Sequence, residues 1–277
     1  MEQERLERYF ERLGLNLPEE IRPDGDFLKR IFRAHVTHVP YENIDYLNMD
    51  RKEITLDRLY EQVVGKKRGG VCYDLNALLG EALRTLGYEA YPVIADHYRT
   101  HMEHTNYRHS ALIVRDCDGT VWLSDVGDSF SGAQEPLLLQ ENTDQHRGNE
   151  VYCLKKREDG SWMLYIRLKG EWVANYAFFE QPATLADLTY FKLVAMNPEI
   201  PFTKEELFHL RTEDGYRLLR GRTLLEKTAE GKTARQVEES ELPEIYGLFG
   251  LRYPRTAYME EEPNDAHADA SRGGLKE

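Results

Sequence analysis

Apolar residues in the first third of the chain recur at intervals of three and four, which is the spacing of one face of an α-helix. Four segments share this pattern, and their apolar positions are Leu6, Tyr9, Phe10 and Leu13; Phe27, Ile31 and Phe32; Leu56, Leu59, Tyr60, Val63 and Val64; and Leu75, Leu78, Leu79, Ala82, Leu83 and Leu86. Gly65 and Gly87 follow the last two segments, as glycine often does where a helix ends. Residues 1–88 are therefore predicted to be mostly helical.

From Tyr88 to about Phe179 the pattern changes to short apolar runs separated by turn residues, which is typical of β-strands. Hairpins are expected around Asp159-Gly160 and around Lys169-Gly170. The last part of the chain begins with a helical pattern and continues with a hairpin around Asp214-Gly215. A final short helix is predicted from Leu242.

Together these patterns predict an α+β protein built in three parts. Residues 1–88 form an N-terminal helical bundle, residues 89–182 form a central antiparallel β-barrel-like domain, and residues 183–258 form a C-terminal α/β domain. Residues 259–277 are acidic and poor in apolar side chains, so we expect a flexible tail. A chain of 277 residues can bury a substantial core.

The most informative chemical signal is Cys72, which follows Gly69 and Gly70 and begins the fourth helical segment. In the first turn of a helix, unpaired N–H groups and the helix dipole favour a negative charge. A thiol in this place loses its proton more readily, and the thiolate is the nucleophile. The two glycines allow a sharp turn and a close approach of a substrate. The sequence therefore favours a cysteine enzyme.

An isolated cysteine is more often a small buried hydrophobic residue than a nucleophile. Cys117, in a turn, and Cys153, in an apolar strand-like run, are interpreted in this way. Three cysteines in a chain of this length do not make a disulfide framework. Cys72 differs through its turn-then-helix context, but a nucleophile also needs a base and a group that orients the base.

His109 begins the first of two strand-like runs that flank a turn at Asp118-Gly119, and the second run contains Asp125 and ends at Gly127. A two-residue loop would place His109 and Asp125 on opposite faces of the sheet. A three-residue loop over residues 117–119 would instead pair His109 with Gly127. Asp125 is then a diagonal neighbour of His109 on the same face, roughly 7–8 Å away between backbones. We predict the three-residue loop.

The roles follow from this arrangement. Cys72 attacks, His109 takes the thiol proton and later returns one to the leaving group, and Asp125 fixes the tautomer and orientation of the imidazole. An aspartate inside an apolar strand also needs a partner, because burying an unpaired carboxylate is costly. The alternative for Asp125 is an ordinary surface position near a turn.

Several segments of the chain resemble the arylamine N-acetyltransferase family. Residues 68–76, Arg-Gly-Gly-Val-Cys-Tyr-Asp-Leu-Asn, match the family's nucleophile segment, Arg-Gly-Gly-x-Cys-(aromatic)-(acid)-x-Asn. Residues 38–45 resemble its His-x-x-Val-Pro-Phe-Glu-Asn-Leu signature, and residues 125–127 resemble the start of its Asp-Val-Gly-Phe-Gly motif. Residues 176–179 and 242–251 also resemble family segments, in the expected order.

The resemblance implies an enzyme that takes an acetyl group from acetyl-CoA onto its cysteine and passes it to a small aromatic amine or hydrazine. It implies that Cys72, His109 and Asp125 are the triad of a cysteine-protease-like catalytic core, and that the C-terminal α/β part is a lid. Acetyl-CoA is then a co-substrate, no cofactor is permanently bound, and no metal is needed. Such ping-pong chemistry suits a triad that activates first the thiol and then the amine.

Further site residues are expected from their places in the matched segments. Candidate contacts with the substrate or CoA are Thr105, Arg108, Gly127 and Phe202. Residues expected to support the nucleophile loop are Arg68, Gly69, Gly70 and Glu42, with Arg68 paired to Glu42. The chain departs from the family pattern at Asp128-Ser129, where Phe-Gly usually follows Asp-Val-Gly. An additional carboxylate there could repel phosphates or alter the amine preference.

The composition and charge of the chain limit the classes of binding partner that we expect. A net charge of −13 and a pI near 5.3 argue against a nucleic-acid-binding surface. They say little about CoA, because a local basic run such as Lys66-Lys67-Arg68 would suffice, although the two lysines could simply complement a helix C-terminus. The charged N-terminus and the lack of any apolar run near about 18 residues predict neither a signal peptide nor a membrane span. A cytoplasmic protein is expected, and its oligomeric state is not indicated.

Two rival interpretations stay open. One is a metal site built from His97, His101, His104 and His109, although structural zinc sites usually have more closely paired ligands. The other is a cysteine hydrolase, an amide synthase or a catalytically silent CoA-binding relative on the same scaffold, because the layout alone does not choose between acceptors. The pocket after Gly127 is the feature that distinguishes acetyl transfer from the hydrolase, the amide synthase and the silent relative.

Overall fold

The computed structural model describes residues 1–98, 108–128, 132–148 and 150–259. Its α-helices are α1 (Gln3–Arg12), α2 (Gly25–His38), α3 (Ile44–Leu47), α4 (Leu56–Tyr60), α5 (Cys72–Thr85), α6 (Leu185–Ala195) and α7 (Leu242–Leu248). A π-helical turn (Glu61–Gly65) continues α4, and short 3-10 turns cover Pro201–Thr203, Glu239–Glu241 and Arg255–Tyr258.

The strands are β1 (Glu89–His97), β2 (Arg108–Arg115), β3 (Val121–Leu123), β4 (Leu137–Leu138), β5 (Gln145–Arg147), β6 (Glu150–Lys156), β7 (Trp162–Leu168), β8 (Glu171–Phe178), β9 (Leu207–Arg211), β10 (Tyr216–Arg220), β11 (Thr223–Lys227) and β12 (Lys232–Gln236). The predicted α+β class, with helices first and strands after about residue 88, is confirmed.

Capping side chains and glycines explain where the main helices begin and end. The Asp24 carboxylate accepts a hydrogen bond of 2.9 Å from the Phe27 N–H and so caps the start of α2. Gly87 follows α5 with φ of +95°, the left-handed conformation that glycine adopts at low cost. The longest helices, α2 and α5, have 14 residues each. No helix in the described ranges combines the length and apolar character needed to span a membrane.

The central sheet has eight antiparallel strands in the order β4-β3-β2-β1-β8-β7-β6-β5. Its two edge strands approach each other through one side chain. The Gln145 amide of β5 accepts from the Leu138 N–H at 2.7 Å and donates to the Leu138 carbonyl at 2.8 Å. The amide replaces backbone pairing between the edges, and the sheet is nearly closed, in agreement with the predicted barrel-like character.

The predicted hairpins are present. Lys156 pairs with Trp162 around Asp159-Gly160, and Arg211 pairs with Tyr216 around Asp214-Gly215. Leu168 pairs with Glu171 across a two-residue turn, in which Lys169 and Gly170 have φ of +50° and +88°. Two left-handed residues in succession are the signature of a type I′ turn.

The β2–β3 hairpin has the predicted three-residue loop. Val114 pairs with Trp122, and Gly119 has φ of +82°. The second strand is nevertheless shorter than expected, because β3 ends at Leu123 and only the Ser124 N–H still bonds across to β2. The Asp125 carboxylate accepts from the Gly127 N–H at 2.9 Å, and this local turn takes the chain out of the sheet. Placing Asp125 inside a strand was therefore wrong.

Three apolar clusters make the core. The first joins the N-terminal helices to one side of β2 and to Leu188, Ala195 and Met196 near α6. The second lies inside the eight-stranded sheet, and the third packs β9–β11 against α7. The division of the chain at residues 88, 182 and 258 stays a prediction, and the tail beyond Met259 lies outside the described residues.

A second sheet, in the order β12-β11-β10-β9, lies against the N-terminal part through backbone hydrogen bonds. Tyr41 donates to the His209 carbonyl at 2.8 Å and accepts from the His209 N–H at 2.9 Å. The Asn43 amide adds bonds to the carbonyls of Phe202 and Glu205. The last part of the chain is thereby fixed beside residues 40–43, next to the predicted nucleophile loop.

Three buried histidines have depressed pKa values. Burial, together with nearby positive charge, lowers the pKa of His35 to about 3, that of His97 to about 4 and that of His209 to about 3. The unfolded chain binds protons at these rings near pH 6.5, whereas the folded chain does not. Stability from these groups is therefore present above about pH 6.5 and is lost as the pH falls towards the folded values.

We predict that His35→Asn flattens this dependence. His35 Nδ1 bonds the Tyr9 hydroxyl at 2.7 Å, and an asparagine oxygen can replace that nitrogen without titrating. The slope of the unfolding free energy between pH 4 and 6 should fall by about 1.4 kcal/mol per pH unit, the contribution of one proton. Urea unfolding at several pH values measures it. The exposed His146→Asn is the control, and equal slopes for both variants would contradict the prediction.

Candidate active site

Cys72 is the first residue of α5 and its side chain is buried, with 1% of the residue exposed. The preceding residue, Val71, is the extended N-cap. Glu42 donates its backbone N–H to the Gly70 carbonyl at 3.0 Å, so the approach to the helix is fixed by a short bridge. The sulfur therefore lies where the first-turn N–H groups and the helix dipole favour a negative charge.

The two glycines before Cys72 are required by close packing. A Cβ on Gly69 would lie 1.6 Å from the Pro40 carbonyl oxygen, and one on Gly70 would lie 2.7 Å from the Asp74 Cβ. The Gln62 amide donates to the Gly69 carbonyl at 2.7 Å. The loop therefore packs between Pro40 on one side and the first turn of α5 on the other.

His109 and Asp125 lie in contact. His109 Nε2 is 2.6 Å from Asp125 Oδ2, and both side chains are buried. The Cys72 sulfur interacts electrostatically with the same imidazole, and Nδ1 is the ring nitrogen that does not contact Asp125. The structure therefore brings the three predicted residues together in the order carboxylate, imidazole, thiol.

Among the described residues, four groups form hydrogen bonds to Asp125. Besides His109 and the Gly127 N–H, its donors are the Tyr176 hydroxyl at 2.9 Å and the Asn76 amide at 3.0 Å. Burying a carboxylate is tolerated when donors surround it in this way. The carboxylate is consequently held in one orientation towards the imidazole.

Asn76 and Tyr176 were not among the predicted site residues. Asn76 follows Cys72 by four positions, so it lies on the same face of α5, and this spacing could have identified it. Its amide also donates to the Ser110 carbonyl at 2.6 Å, and its oxygen accepts from the Val126 N–H at 3.1 Å. Tyr176 comes from β8, and no local pattern links it to the site.

The electrostatics favour a charged imidazole. Burial alone would lower the pKa of His109, but the Asp125 carboxylate and the Cys72 sulfur outweigh it and hold that pKa well above its ordinary value. Burial, reinforced by the nearby carboxylates, raises the pKa of Tyr176 well above its ordinary value. The phenol therefore stays neutral and acts as a donor to Asp125.

Arg68 lies beside Glu42, as its motif suggested. Its Nε and Nη2 donate to Glu42 Oε1 at 3.0 and 2.8 Å, and its Nη1 is 2.8 Å from an Asp45 oxygen. The other Glu42 oxygen accepts from the Ile44 N–H at 2.6 Å. These buried bonds connect the nucleophile loop to the start of α3.

The proposed substrate contacts lie in different places. Arg108 pairs with Asp96 at 2.7 Å, and its carbonyl accepts from the Tyr73 hydroxyl. The Phe202 carbonyl accepts from the Asn43 amide at 2.7 Å. A Cβ on Gly127 would lie 2.5 Å from the Cys72 Cα, so this glycine lies directly against the nucleophile. Thr105 lies outside the described residues.

Asp128 is buried and accepts from the Asn175 amide at 2.7 Å. It borders two small cavities of about 10 Å³ each, which share Asp125, Gly132 and Ala133 in their walls. A volume of about 10–15 Å³ holds a single water molecule. The additional carboxylate thus lines the same two cavities as the Asp125 carboxylate, whereas Ser129 lies outside the described residues.

The histidines of the alternative metal site divide into two groups. The rings of His97 and His109 lie in tilted contact, with centroids 4.9 Å apart and planes at 47°, and His101 and His104 lie outside the described residues. Within those residues, no group of three or more His, Cys, Asp or Glu side chains is arranged to hold a metal ion. Cys153 is buried, as interpreted from the sequence, whereas Cys117 is exposed in the loop between β2 and β3, so its interpretation as a buried residue was wrong.

Comparison with known proteins identifies the class. The family described as N-acetyltransferase matches residues 24–253, which places this chain among the N-acetyltransferases. Arylamine N-acetyltransferase of Mycolicibacterium smegmatis is 30% identical over 225 residues, covering 78% of this chain and 80% of the relative. A Salmonella typhimurium protein named arylamine N-acetyltransferase / N-hydroxyarylamine O-acetyltransferase is 28% identical over 253 residues, covering 89% and 88%.

Solved structures agree. Arylamine N-acetyltransferase of Mycobacterium marinum in complex with CoA superposes with a TM-score of 0.81 at 25% identity, covering 92% of this chain and 95% of that chain. The chain belongs to the arylamine N-acetyltransferase family, as the sequence motifs indicated. It is an N-acetyltransferase with acetyl-CoA as its co-substrate.

Gly127→Ala should displace the nucleophile. The new Cβ would meet the Cys72 backbone, and overpacking of this kind costs about 1–3 kcal/mol. We expect a lower free energy of unfolding in urea and slower alkylation of Cys72 by iodoacetamide.

The matched control is Gly119→Ala, where a Cβ would meet nothing within 4 Å. Because Gly119 has φ of +82°, this change also costs about 1–2 kcal/mol, but it should leave alkylation unchanged. Wild-type alkylation in the Gly127 variant would contradict the assignment of Gly127 to the nucleophile's packing.

Proposed function

We propose that Cys72, His109 and Asp125 form a catalytic triad that transfers an acetyl group from acetyl-CoA to an arylamine or arylhydrazine through a Cys72 thioester. The observation that carries the proposal is a single imidazole, His109, which contacts Asp125 Oδ2 at 2.6 Å and interacts electrostatically with the Cys72 sulfur. One ring nitrogen is engaged by the carboxylate, so the other is free to exchange protons at the sulfur.

In the first half-reaction, His109 takes the proton of the Cys72 thiol. The thiolate attacks the carbonyl carbon of acetyl-CoA, and a tetrahedral intermediate forms. Backbone N–H groups in the first turn of α5 would stabilise the negative charge on its oxygen. The bond between the carbonyl carbon and the CoA sulfur then breaks, and CoA leaves with a proton supplied by His109.

In the second half-reaction, the amine nitrogen attacks the Cys72 thioester. His109 accepts the proton that the amine loses, the bond from the acyl carbon to Cys72 breaks, and the amide product leaves. The thiolate and the protonated imidazole remain, which is the charge state that the raised pKa of His109 favours. One imidazole therefore serves both half-reactions in a ping-pong sequence.

The acceptor class rests on the relatives, which are named arylamine N-acetyltransferases. Asp128 is where this chain departs from their usual pattern. A buried carboxylate beside Asp125 makes this corner polar, and we propose that it changes the preference for donor and acceptor. Arg108, Phe202 and Thr105 remain proposed contacts of the substrate or CoA.

The organisation proposed with this function has three parts. A cysteine-protease-like core joins the helical residues 1–88 to the β-domain residues 89–182, and residues 183–258 act as a lid. The backbone bonds between Tyr41 and His209 support this arrangement, because they hold the third part beside the nucleophile loop. We propose that the enzyme works in the cytoplasm, with its thiols reduced.

The direct test is the intact mass of the purified protein after incubation with acetyl-CoA in the absence of an amine. The wild type should gain one acetyl group, the Cys72→Ala variant should gain none, and an arylhydrazine should remove the adduct. An adduct that is lost to water as fast as to the hydrazine would favour the hydrolase. No adduct despite protection from heating by CoA would indicate another acyl donor or a silent relative.

Asp125→Asn should lower kcat for acetyl transfer by about 10⁴, the effect of the same substitution in a comparable triad. Every group that contacts Asp125 is a donor, so an amide NH₂ would face a donor in either orientation. The milder matched variant is Tyr176→Phe, which removes one donor and should cost about tenfold. Steady-state kinetics with an arylhydrazine measure both, and equal losses would contradict this ranking.

A further inference from the structure

A lysine of the third part of the chain is buried beneath the nucleophile helix. Lys192 lies on α6, and only 1% of its surface is exposed. Lysine is almost never buried this fully unless its charge is paired. The proposed chemistry does not use this residue, so its position needs an explanation of its own.

The Lys192 ammonium bonds two carboxylates that are distant in sequence. Its Nζ is 2.8 and 3.0 Å from the two oxygens of Asp74 and 3.0 Å from Oδ2 of Asp45. Burial would lower the pKa of Lys192, but the two carboxylates raise it above its ordinary value. The ammonium is therefore charged at neutral pH.

Asp74 is the more informative partner, because it lies in the first turn of α5, two residues after Cys72. Its Oδ2 accepts from the Val71 N–H at 3.2 Å, so the Asp74 carboxylate satisfies the backbone donor at the N-cap of α5. Gly70 lacks a Cβ at the point where one would lie 2.9 Å from the same oxygen. The Asp74 carboxylate therefore packs directly against Gly70 and Val71, the two residues that precede the nucleophile.

The charges around this point balance. Asp45 also pairs with Arg58 at 3.2 Å and with Arg68 at 2.8 Å, and Arg68 pairs with Glu42. Arg58 also pairs with Asp50 at 3.1 Å, and Asp50 lies 3.6 Å from Lys52. Four carboxylates therefore face four cations, and these side chains are Glu42, Asp45, Asp50, Asp74, Lys52, Arg58, Arg68 and Lys192. Removing one member would leave a net charge in a buried region directly below the first turn of α5.

We propose that Lys192 is a positioning residue for the nucleophile, which holds and neutralises the Asp74 carboxylate so that the N-terminus of α5 keeps a favourable field at the Cys72 sulfur. The inference rests on the proposed role of Cys72. An uncompensated carboxylate in the same helical turn would oppose the thiolate, whereas an uncompensated ammonium would favour it.

The other groups that face Cys72 do not cancel this effect. His109 of β2 carries the proton exchanged with the sulfur, and Asp125 lies behind it. Tyr46 and Tyr73 also interact electrostatically with the sulfur, and burial first, then neighbouring groups, raises the pKa of both phenols, so they stay neutral. The pair formed by Asp74 and Lys192 is therefore a charge balance that substitution can shift in either direction.

The test is the pH profile of Cys72 alkylation by iodoacetamide, followed by the mass of the peptide that contains Cys72 and so separated from the exposed Cys117. Lys192→Met should move the midpoint of the profile up by about one pH unit, and Asp74→Asn should move it down by a similar amount. The double variant should return close to the wild type. Circular dichroism melting identifies the variants that are folded.

Opposite signs separate the proposal from a purely structural role, which would impair both single variants in the same direction. Shifts of equal sign, or a wild-type midpoint in Asp74→Asn, would overturn the proposal, and the latter outcome decides the matter even if Lys192→Met does not fold. Lys232→Met, on the exposed strand β12, controls for the loss of a remote charge. Since the readout involves no acetyl-CoA, failure of acetyl transfer would leave this result intact.

Discussion

The burial of the Asp125 carboxylate is the constraint on which the rest of the site depends. A carboxylate removed from water needs donors on all sides, and these come from the nucleophile helix, two strands of the central sheet and the aspartate's own turn. The four donors are Asn76, His109, Tyr176 and Gly127. Because one group must satisfy all of these bonds, α5, β2 and β8 have little freedom to move relative to each other. Fold stability and the orientation of His109 therefore have a common origin.

The ion pairs beneath the nucleophile loop are a second constraint of a different kind. A buried ion pair is often no more stabilising than an apolar replacement, whereas removal of one partner costs about 3–5 kcal/mol. The network around Arg68 and Lys192 is therefore better understood as a fixed distribution of charge than as a source of stability. Since α5 begins directly above it, the reacting sulfur lies in the field that this distribution produces. Asp45, which contacts both cations, joins the loop to the third part of the chain.

Local physics made much of the fold predictable. Helical spacing located α1, α2 and α5, and counting loop residues fixed the β2–β3 register, because a three-residue loop with a left-handed Gly119 permits one pairing only. The prediction failed where a side chain overrides the strand: Asp125 bonds its own turn, and the ladder stops at Leu123. The barrel-like character of the sheet was predicted, but the role of Gln145 between its edge strands was not, because a side-chain amide that bonds one backbone leaves no periodic pattern.

The same distinction between local and distant interactions applies to the residues of the site. Cys72, His109 and Asp125 could be predicted because each lies in a local context with a chemical consequence, namely a helix start and a hairpin of known register. Tyr176 and Lys192 could not, because their partners are 51 and 118 residues away in sequence. From the sequence alone, Lys192 in the apolar helix α6 would be predicted to be exposed. The fold shows instead that two carboxylates contact it. Local sequence context thus indicated three side chains that the fold brings together, whereas Tyr176 and Lys192, which add a donor and a charge beside them, come from distant parts of the chain.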